Sequence, residues 1–226
     1  MVPPQHRRKN RRQQQAIDMR EDCMALSSSD VKLFYKLWLS VLQFVDTRYC
    51  ISHVATQKGR PIVTMDEETI YNIASYMFDH REVIDEYVSE NPGHFSSNEL
   101  KIIQKWKYRV NTTFVIDRIV KKGAILIATN TSRVYCVEPI LSSWDELTAS
   151  HDLPASVETA LLPFKNQIIF DSILKASSVE LNPEMCEWVN AIYLKAKRKR
   201  EIISSAAELI KSEKVQATPD LKVKLN

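Results

Sequence analysis

The spacing of apolar positions along this chain changes twice. From Asp30 onward, Phe34, Leu37, Trp38, Val41, Leu42 and Val45 recur at steps of three and four, which makes one wide apolar face on a helix ending near Tyr49. The Ser27-Ser28-Ser29-Asp30 cluster supplies its N-cap. Residues 51–63 read as a loop with room for one short strand, and Gly59-Arg60-Pro61 is turn chemistry. Thr64 followed three residues later by Glu67 is a capping box and predicts a helix to about Ser89, with Ile70, Ile73, Met77, Ile84 and Val88 near one face. Asn91-Pro92-Gly93 stops it, and Ser96 with Glu99 opens another helix that carries Leu100, Ile103 and Trp106 to about Arg109.

At Thr113 the elements become short, β-branched and separated by turn residues. Residues 113–120, 124–129 and 133–138 predict a three-stranded antiparallel meander, turning at Lys121-Lys122-Gly123 and Asn130-Thr131-Ser132 and closed by Pro139. Ser143 and Glu146 form a third capping box, for a short helix ending near Ser150, and Pro154 returns the chain to extended backbone. Residues 157–164 and 167–174 predict a second strand pair turning at Lys165-Asn166, with Pro163 near a strand end, where its missing N–H is tolerated. A last short strand fits 178–181. Asn182-Pro183, an N-cap followed by Pro at the first helical position, then opens a helix to about Lys211. Along it Met185, Val189, Ile192, Ala196, Lys199, Ile203, Ala206 and Ile210 follow a heptad seam broken once by Lys199. That seam packs either on the protein's own sheet or against a partner.

The predicted fold class is therefore α+β. Helices occupy 30–109, a small antiparallel sheet or partly open barrel occupies 113–181, and one long C-terminal helix spans 183–211. These form a single domain over 29–212, between a basic arm at 1–28 that reads as disordered and a flexible tail at 213–226.

Charge alters this picture locally rather than overall. The 226 residues carry a net charge of +3, but cations cluster at two places. Arg7, Arg8, Lys9, Arg11 and Arg12 lie in the N-terminal arm, and Lys195, Lys197, Arg198, Lys199 and Arg200 lie on two turns of the last helix. Each cluster reads either as a solvated charged surface or as a set of phosphate contacts to nucleic acid. No aromatic residues interleave with the cations, so base stacking is not indicated.

Several chemistries are set aside. Three glycines, Gly59, Gly93 and Gly123, cannot build a phosphate-cradling loop, which excludes Walker-type, kinase and Rossmann nucleotide sites. Cys23, Cys50, Cys136 and Cys186 lie more than 20 residues apart, and none of the five histidines stands at metal-ligand spacing to another His or Cys. No metal or cofactor is expected. Isolated thiols, no apolar run after the basic N-terminus and no span of roughly 20 apolar residues lead to the expectation of a soluble cytoplasmic protein without a membrane segment.

The strand carboxylates are the remaining candidates for chemistry. Asp117 lies between Val115 and Ile119, and Asp171 between Ile169 and Ile173, in the most apolar stretch of the chain. If both face one interior they form an acid–base pair; otherwise each sits on a wet face or pairs with a strand cation such as Arg118 or Arg133. Ile168, Phe170 and Leu174 make the other face of the same strand apolar too, so a buried Asp171 requires hydrogen-bond donors.

Leu161-Leu162-Pro163-Phe164-Lys165 with Ile168-Ile169-Phe170-Asp171, the earlier Val134-Tyr135-Cys136-Val137 and the later Tyr193-Leu194-Lys195-Ala196-Lys197 followed by Ile202-Ile203 resemble a group of uncharacterised bacterial proteins. That group carries an LLPFK…IIYDG block between a small sheet and a terminal helix, sometimes beside a SEC-C zinc motif. The resemblance spans roughly 110–205. Phe170 stands where the group has Tyr, Ser172 where it has Gly, and the Cys-x-Cys and His-Cys elements of a SEC-C tail are absent. It implies no activity for named residues. Three functional expectations follow: a non-catalytic binding or adaptor module with an unknown protein partner or self-association through the C-terminal helix; a nucleic-acid-associated protein using 7–12 and 195–200; and a hydrolase centred on Asp171 and Asp117.

Overall fold

The computed structural model describes residues 26–52, 62–149, 152–177 and 181–217, and its fold is α+β. Most of the basic arm, including Arg7, Arg8, Lys9, Arg11 and Arg12, lies outside these residues, as does the chain from 218 onward. The arm's predicted end at 28 is corrected. Leu26 is buried and donates its N–H to the Pro139 carbonyl, and Ser28 already begins α1, Ser28–Tyr49.

The Ser27 hydroxyl accepts the Asp30 N–H, and the predicted α1 stripe from Phe34 to Val45 is buried. The predicted helix to 89 is instead two, α2 (Glu67–Asp79) and α3 (Glu82–Glu90). Asp66 rather than Thr64 caps the first, because Ile62–Thr64 is a 3-10 turn. The break falls at His80, whose ring stacks on Tyr76 and whose Nδ1 lies 2.9 Å from the Tyr76 carbonyl. It lets Met77 and Val83–Ile84 enter the same core. The Ser96 and Glu99 box opens α4, Ser97–Lys105, as read from sequence, and a 3-10 turn, Trp106–Tyr108, leads into the sheet.

The strands are β1 (Val110–Val120), β2 (Gly123–Ala128), β3 (Val134–Val137), β4 (Ala155–Phe164), β5 (Gln167–Phe170) and β6 (Lys175–Ala176), with the short α5, Trp144–Leu147, between β3 and β4. Their order is β3-β2-β1-β4-β5, all antiparallel, with β6 on β4; the strand expected at 178–181 falls mostly on residues outside the described ones. The two ends of the path meet through a parallel bridge from Glu138 to Ile169, with the Glu138 N–H on the Ile168 carbonyl at 2.8 Å. The sheet thus curls into a partly open barrel whose connectivity is that of the five-stranded OB type. Gly123 begins β2 at φ 154, and a Cβ there would fall 2.0 Å from the Val137 carbonyl oxygen, so only glycine fits.

Cross-strand partners share a face, which sorts the side chains. Phe114, Ile116, Leu126, Tyr135, Leu161 and Phe170 fall on the inner side, with Trp144 of α5 packed on Phe170. The outer side is covered twice. Phe164 meets Phe34 of α1, while Val115, Ile125, Ile127 and Val134 form a separate cluster with α6, Pro183–Lys199.

The single long C-terminal helix is also corrected. Asn182 caps α6 as predicted, but α6 ends at Arg200, which takes a left-handed φ of 57. Ile203 then lies along β3, donating its N–H to Val134 and accepting from Cys136, both at 2.9 Å. The helix resumes as α7, Ala206–Ala217. The predicted flexible tail therefore begins too early, since Glu213 is a buried residue of α7.

Candidate functional site

Asp171 follows β5, where the strand ends. It is 3% exposed, and its Oδ1 accepts the Thr159 hydroxyl at 3.0 Å and the Ile173 N–H at 3.2 Å, while its own N–H is held by the Ala160 carbonyl. Burial pushes its carboxyl up to about 7, against the pull of those hydrogen bonds. A carboxyl in that range suits proton transfer. Here it is sealed among Ile169, Phe170 and Ile173, and the geometry is that of a peg fixing the exit of the chain from β5. Ser172 next to it takes φ 71 and donates its hydroxyl to Tyr35.

Asp117 goes elsewhere. The β1–β2 register slips between Ile116 and Arg118, so Asp117 is the extra residue of a β-bulge. The bulge reverses parity: Val115 belongs to the outer cluster and Ile119 packs on the main core, so Asp117 does not share a face with both. Arg118 instead faces α6. Its Nε donates to Asp117 at 2.5 Å, its Nη2 donates to Asn190 at 2.7 Å, and its guanidinium lies 4.0 Å from the Tyr193 ring centre. The two aspartates are not brought together. Asp171 is bonded to Thr159, which pairs with Thr112, and the five β1 residues from there to Asp117 span roughly 17 Å. A groove of about 430 Å³ between α2 and β6, lined by Glu67, Glu68, Tyr71 and Lys175, holds neither of them.

The cations at 195–200 lie on the exposed end of α6. Lys199 approaches Glu201 at 3.8 Å with both side chains more than half exposed, and Lys197 stands 5.7 Å from the Tyr193 ring. The inward face of this helix is Val189, Tyr193 and Ala196. Its outward face carries Trp188 and Leu194, 46% and 45% exposed, beside Lys195 and Arg198.

One charged residue passed unnoticed in the sequence. Arg109, between the 3-10 turn and β1, is 5% exposed. Its Nη2 reaches the Met77 carbonyl at 3.4 Å, its Nη1 has no hydrogen-bond partner, and no carboxylate lies within ion-pair distance of it among the described residues. Burial first, and then the neighbouring Arg81, lower its pKa to about 10, which leaves it charged at neutral pH. Arg109 lines a polar cavity of about 200 Å³ together with Arg81, Asn111, Asn130, Tyr135 and Glu213. These come from the α2–α3 junction, the start of β1, the β2–β3 turn, β3 and α7, so no local motif announces them. The one local signal is a cation placed directly before a buried strand.

No group of His, Cys, Asp and Glu suited to a metal ion occurs among the described residues, and no helix among them is long and apolar enough to cross a membrane. No family model, curated protein or solved structure matches the chain.

Proposed function

We propose that the chain is a non-catalytic binding module that engages an acidic protein surface through the outward face of α6. One observation carries the reading: α6 buries Val189, Tyr193 and Ala196 on the barrel and leaves Trp188, Leu194, Lys195 and Arg198 facing outward. The stretch from Trp188 to Arg198 is about 15 Å long at the helical rise. An aromatic and a leucine flanked by arginine and lysine are the residue types that anchor interfaces and steer acidic partners. The strand aspartates also support it, since Asp171 is sealed by Thr159 and Ile173 and Asp117 is spent on Arg118.

The test compares the tagged chain with a Trp188→Ser/Leu194→Ser double variant whose circular dichroism is unchanged. The same protein partner should be retained by the first and lost by the second. Sedimentation velocity on the purified chain identifies the case in which the partner is a second copy. Retention of the same set of proteins by both chains overturns the reading.

A second reading is nucleic-acid association through Arg7, Arg8, Lys9, Arg11 and Arg12 with Lys195, Lys197, Arg198, Lys199 and Arg200. It is favoured by the exposure of the four α6 cations and of Arg200 directly after them. Against it, the outer strand face that OB-type barrels offer to oligonucleotides is covered here by α6. Fluorescence anisotropy on mixed DNA and RNA at about 50 and 200 mM salt separates the two readings, because phosphate contacts weaken steeply over that range. Absence of binding at the lower salt removes the second.

A further inference from the structure

The cavity around Arg109 has the makings of a ligand site that the α6 reading does not use. It is small, with room for about six or seven waters at their liquid volume. Its lining is polar and converges from five separate segments. The donors are the two guanidinium groups of Arg109 and Arg81 and the side-chain amides of Asn111 and Asn130. The Glu213 carboxylate, buried in the lining, accepts from Arg133 at 3.2 Å and from the Ser212 hydroxyl at 3.4 Å, and it also feels Arg81 through the local field. Asp79 also lines the space and draws on Arg109 through the local field, but at more than ion-pair distance.

The central fact is the buried guanidinium. A charge removed from water requires a counter-charge and acceptors for its N–H groups. Arg109 obtains one carbonyl at 3.4 Å and a ring face, Phe78, at 5.7 Å, and its Nη1 obtains nothing. An oxyanion supplies both missing things at once, and the guanidinium fork matches it in geometry. Four donor side chains line the space, more than the two oxygens of a flat carboxylate can use, which suits a tetrahedral group. We propose that this cavity binds a phosphate group, with Arg109 as its buried anchor and Arg81, Asn111 and Asn130 closing around it from the rim.

The experiment uses the full chain, isothermal titration calorimetry and thermal unfolding, with inorganic phosphate, glycerol 3-phosphate, acetate and chloride at matched ionic strength. Saturable binding of phosphate is expected, with a Kd in the millimolar range or tighter and a rise in Tm that saturates with it. Tighter binding of the ester assigns a phosphorylated small molecule, and equal binding assigns free phosphate. Arg81→Glu and Asn111→Asp change exposed rim residues without touching the core, and each should weaken phosphate at least about tenfold, with circular dichroism unchanged. Arg109→Met should abolish the response; if that variant does not fold, the two rim variants decide. The proposal is overturned if phosphate does no more than chloride, if acetate binds as well as phosphate, or if both rim variants bind phosphate as the parent does.

Discussion

The two C-terminal helices continue one apolar repeat in the sequence and end in different cores. α6 places Val189, Tyr193 and Ala196 on a small outer cluster with Val115, Ile125, Ile127 and Val134. α7 places Leu209 in the main core that also holds the barrel interior and the N-terminal helices. The seam fails at Lys199, which is exposed, because the helix ends there; α7 restarts on a new face of Ala206, Leu209 and Glu213 rather than on Ile210. Between them Ile203 is bonded to the edge of β3. A heptad pattern reports which side chains seek burial, but not that all of them find the same partner. The helix lying on the smaller cluster should open more easily, and it is also the helix with the exposed Trp188 and its neighbouring cations.

The largest effect expected lies in the main core and depends on pH. The Asp171 carboxyl is raised by burial from the ordinary 3.8 to about 7. Between those values the folded chain holds the proton and the unfolded chain has released it, so stability falls as pH rises through this window and stays low above it. The whole change is worth about 4 kcal/mol. Asp171→Asn keeps the shape and an acceptor for Thr159 and Ile173 but cannot ionise. Urea unfolding at pH 4.5 and 8 should show the parent losing stability at the higher pH and the Asn variant losing much less, so that the variant is the more stable at pH 8. Parallel losses in both chains would remove Asp171 as the source. Opening of α6 alone, followed by hydrogen exchange, should change little over the same range.

The next effect contrasts the helices directly. Leu209→Ala leaves a void in the main core and should cost about 3 kcal/mol in global stability, whereas Val189→Ala, on the smaller cluster, should cost about 1.5. The difference in kind is more informative than the difference in size. Val189→Ala should speed amide exchange in α6 while leaving the barrel strands protected; Leu209→Ala should lower protection throughout. If Val189→Ala lowers protection in the barrel as much as in α6, the two clusters form one cooperative unit.

What could be read from the chain and what could not divides along the same line, between local and distant causes. The capping boxes at Ser96–Glu99 and Ser143–Glu146 and the Asn182-Pro183 start are interactions within a few residues, and each stands where the pattern put it. The α1 stripe and β1 to β4 were legible because periodicity records burial, whereas β5 stops at Phe170, short of the expected 174. The Thr64 box was misplaced because Asp66, two residues on, caps better. The bulge at Asp117 was hidden because period-two reasoning has no means of registering an inserted residue, and with it went the supposed face shared with Asp171. The parallel bridge that curls the sheet joins Glu138 to Ile169, and the break at Arg200 serves the edge of β3; both have causes tens of residues away. The Arg109 cavity is the extreme case, with five segments and no spacing to read.

A smaller effect tests the latch on α6. Arg118 joins Asp117, Asn190 and the Tyr193 ring, and so ties the bulge to the helix. Arg118→Met keeps much of the stem packing but removes the charge and the donors, and should cost about 1 kcal/mol, since the pair lies at a partly wet boundary. The loss should appear as faster exchange in α6, and it should shrink when Asp117→Asn is made first, because the carboxylate left behind is part of the penalty. Equal losses in the two backgrounds would show that the ring contact, not the ion pair, is the latch.

The smallest effect addresses the break itself. Arg200 holds a left-handed backbone at φ 57, which strains any residue with a Cβ and suits glycine. Glycine gains on that strain and loses on chain entropy in the unfolded state, so Arg200→Gly should stabilise by about 0.5 kcal/mol, or a rise of roughly 1–2 °C in Tm. Arg200→Ala removes the same cation but keeps the strain, and the difference between Gly and Ala isolates the backbone from the charge. Stabilisation by Gly and none by Ala would mean that the destinations of the two helices impose the break and position 200 merely tolerates it. A loss in both would mean that the arginine side chain itself holds α6 and α7 apart, and the division between the two clusters would then depend on a single cation at their junction.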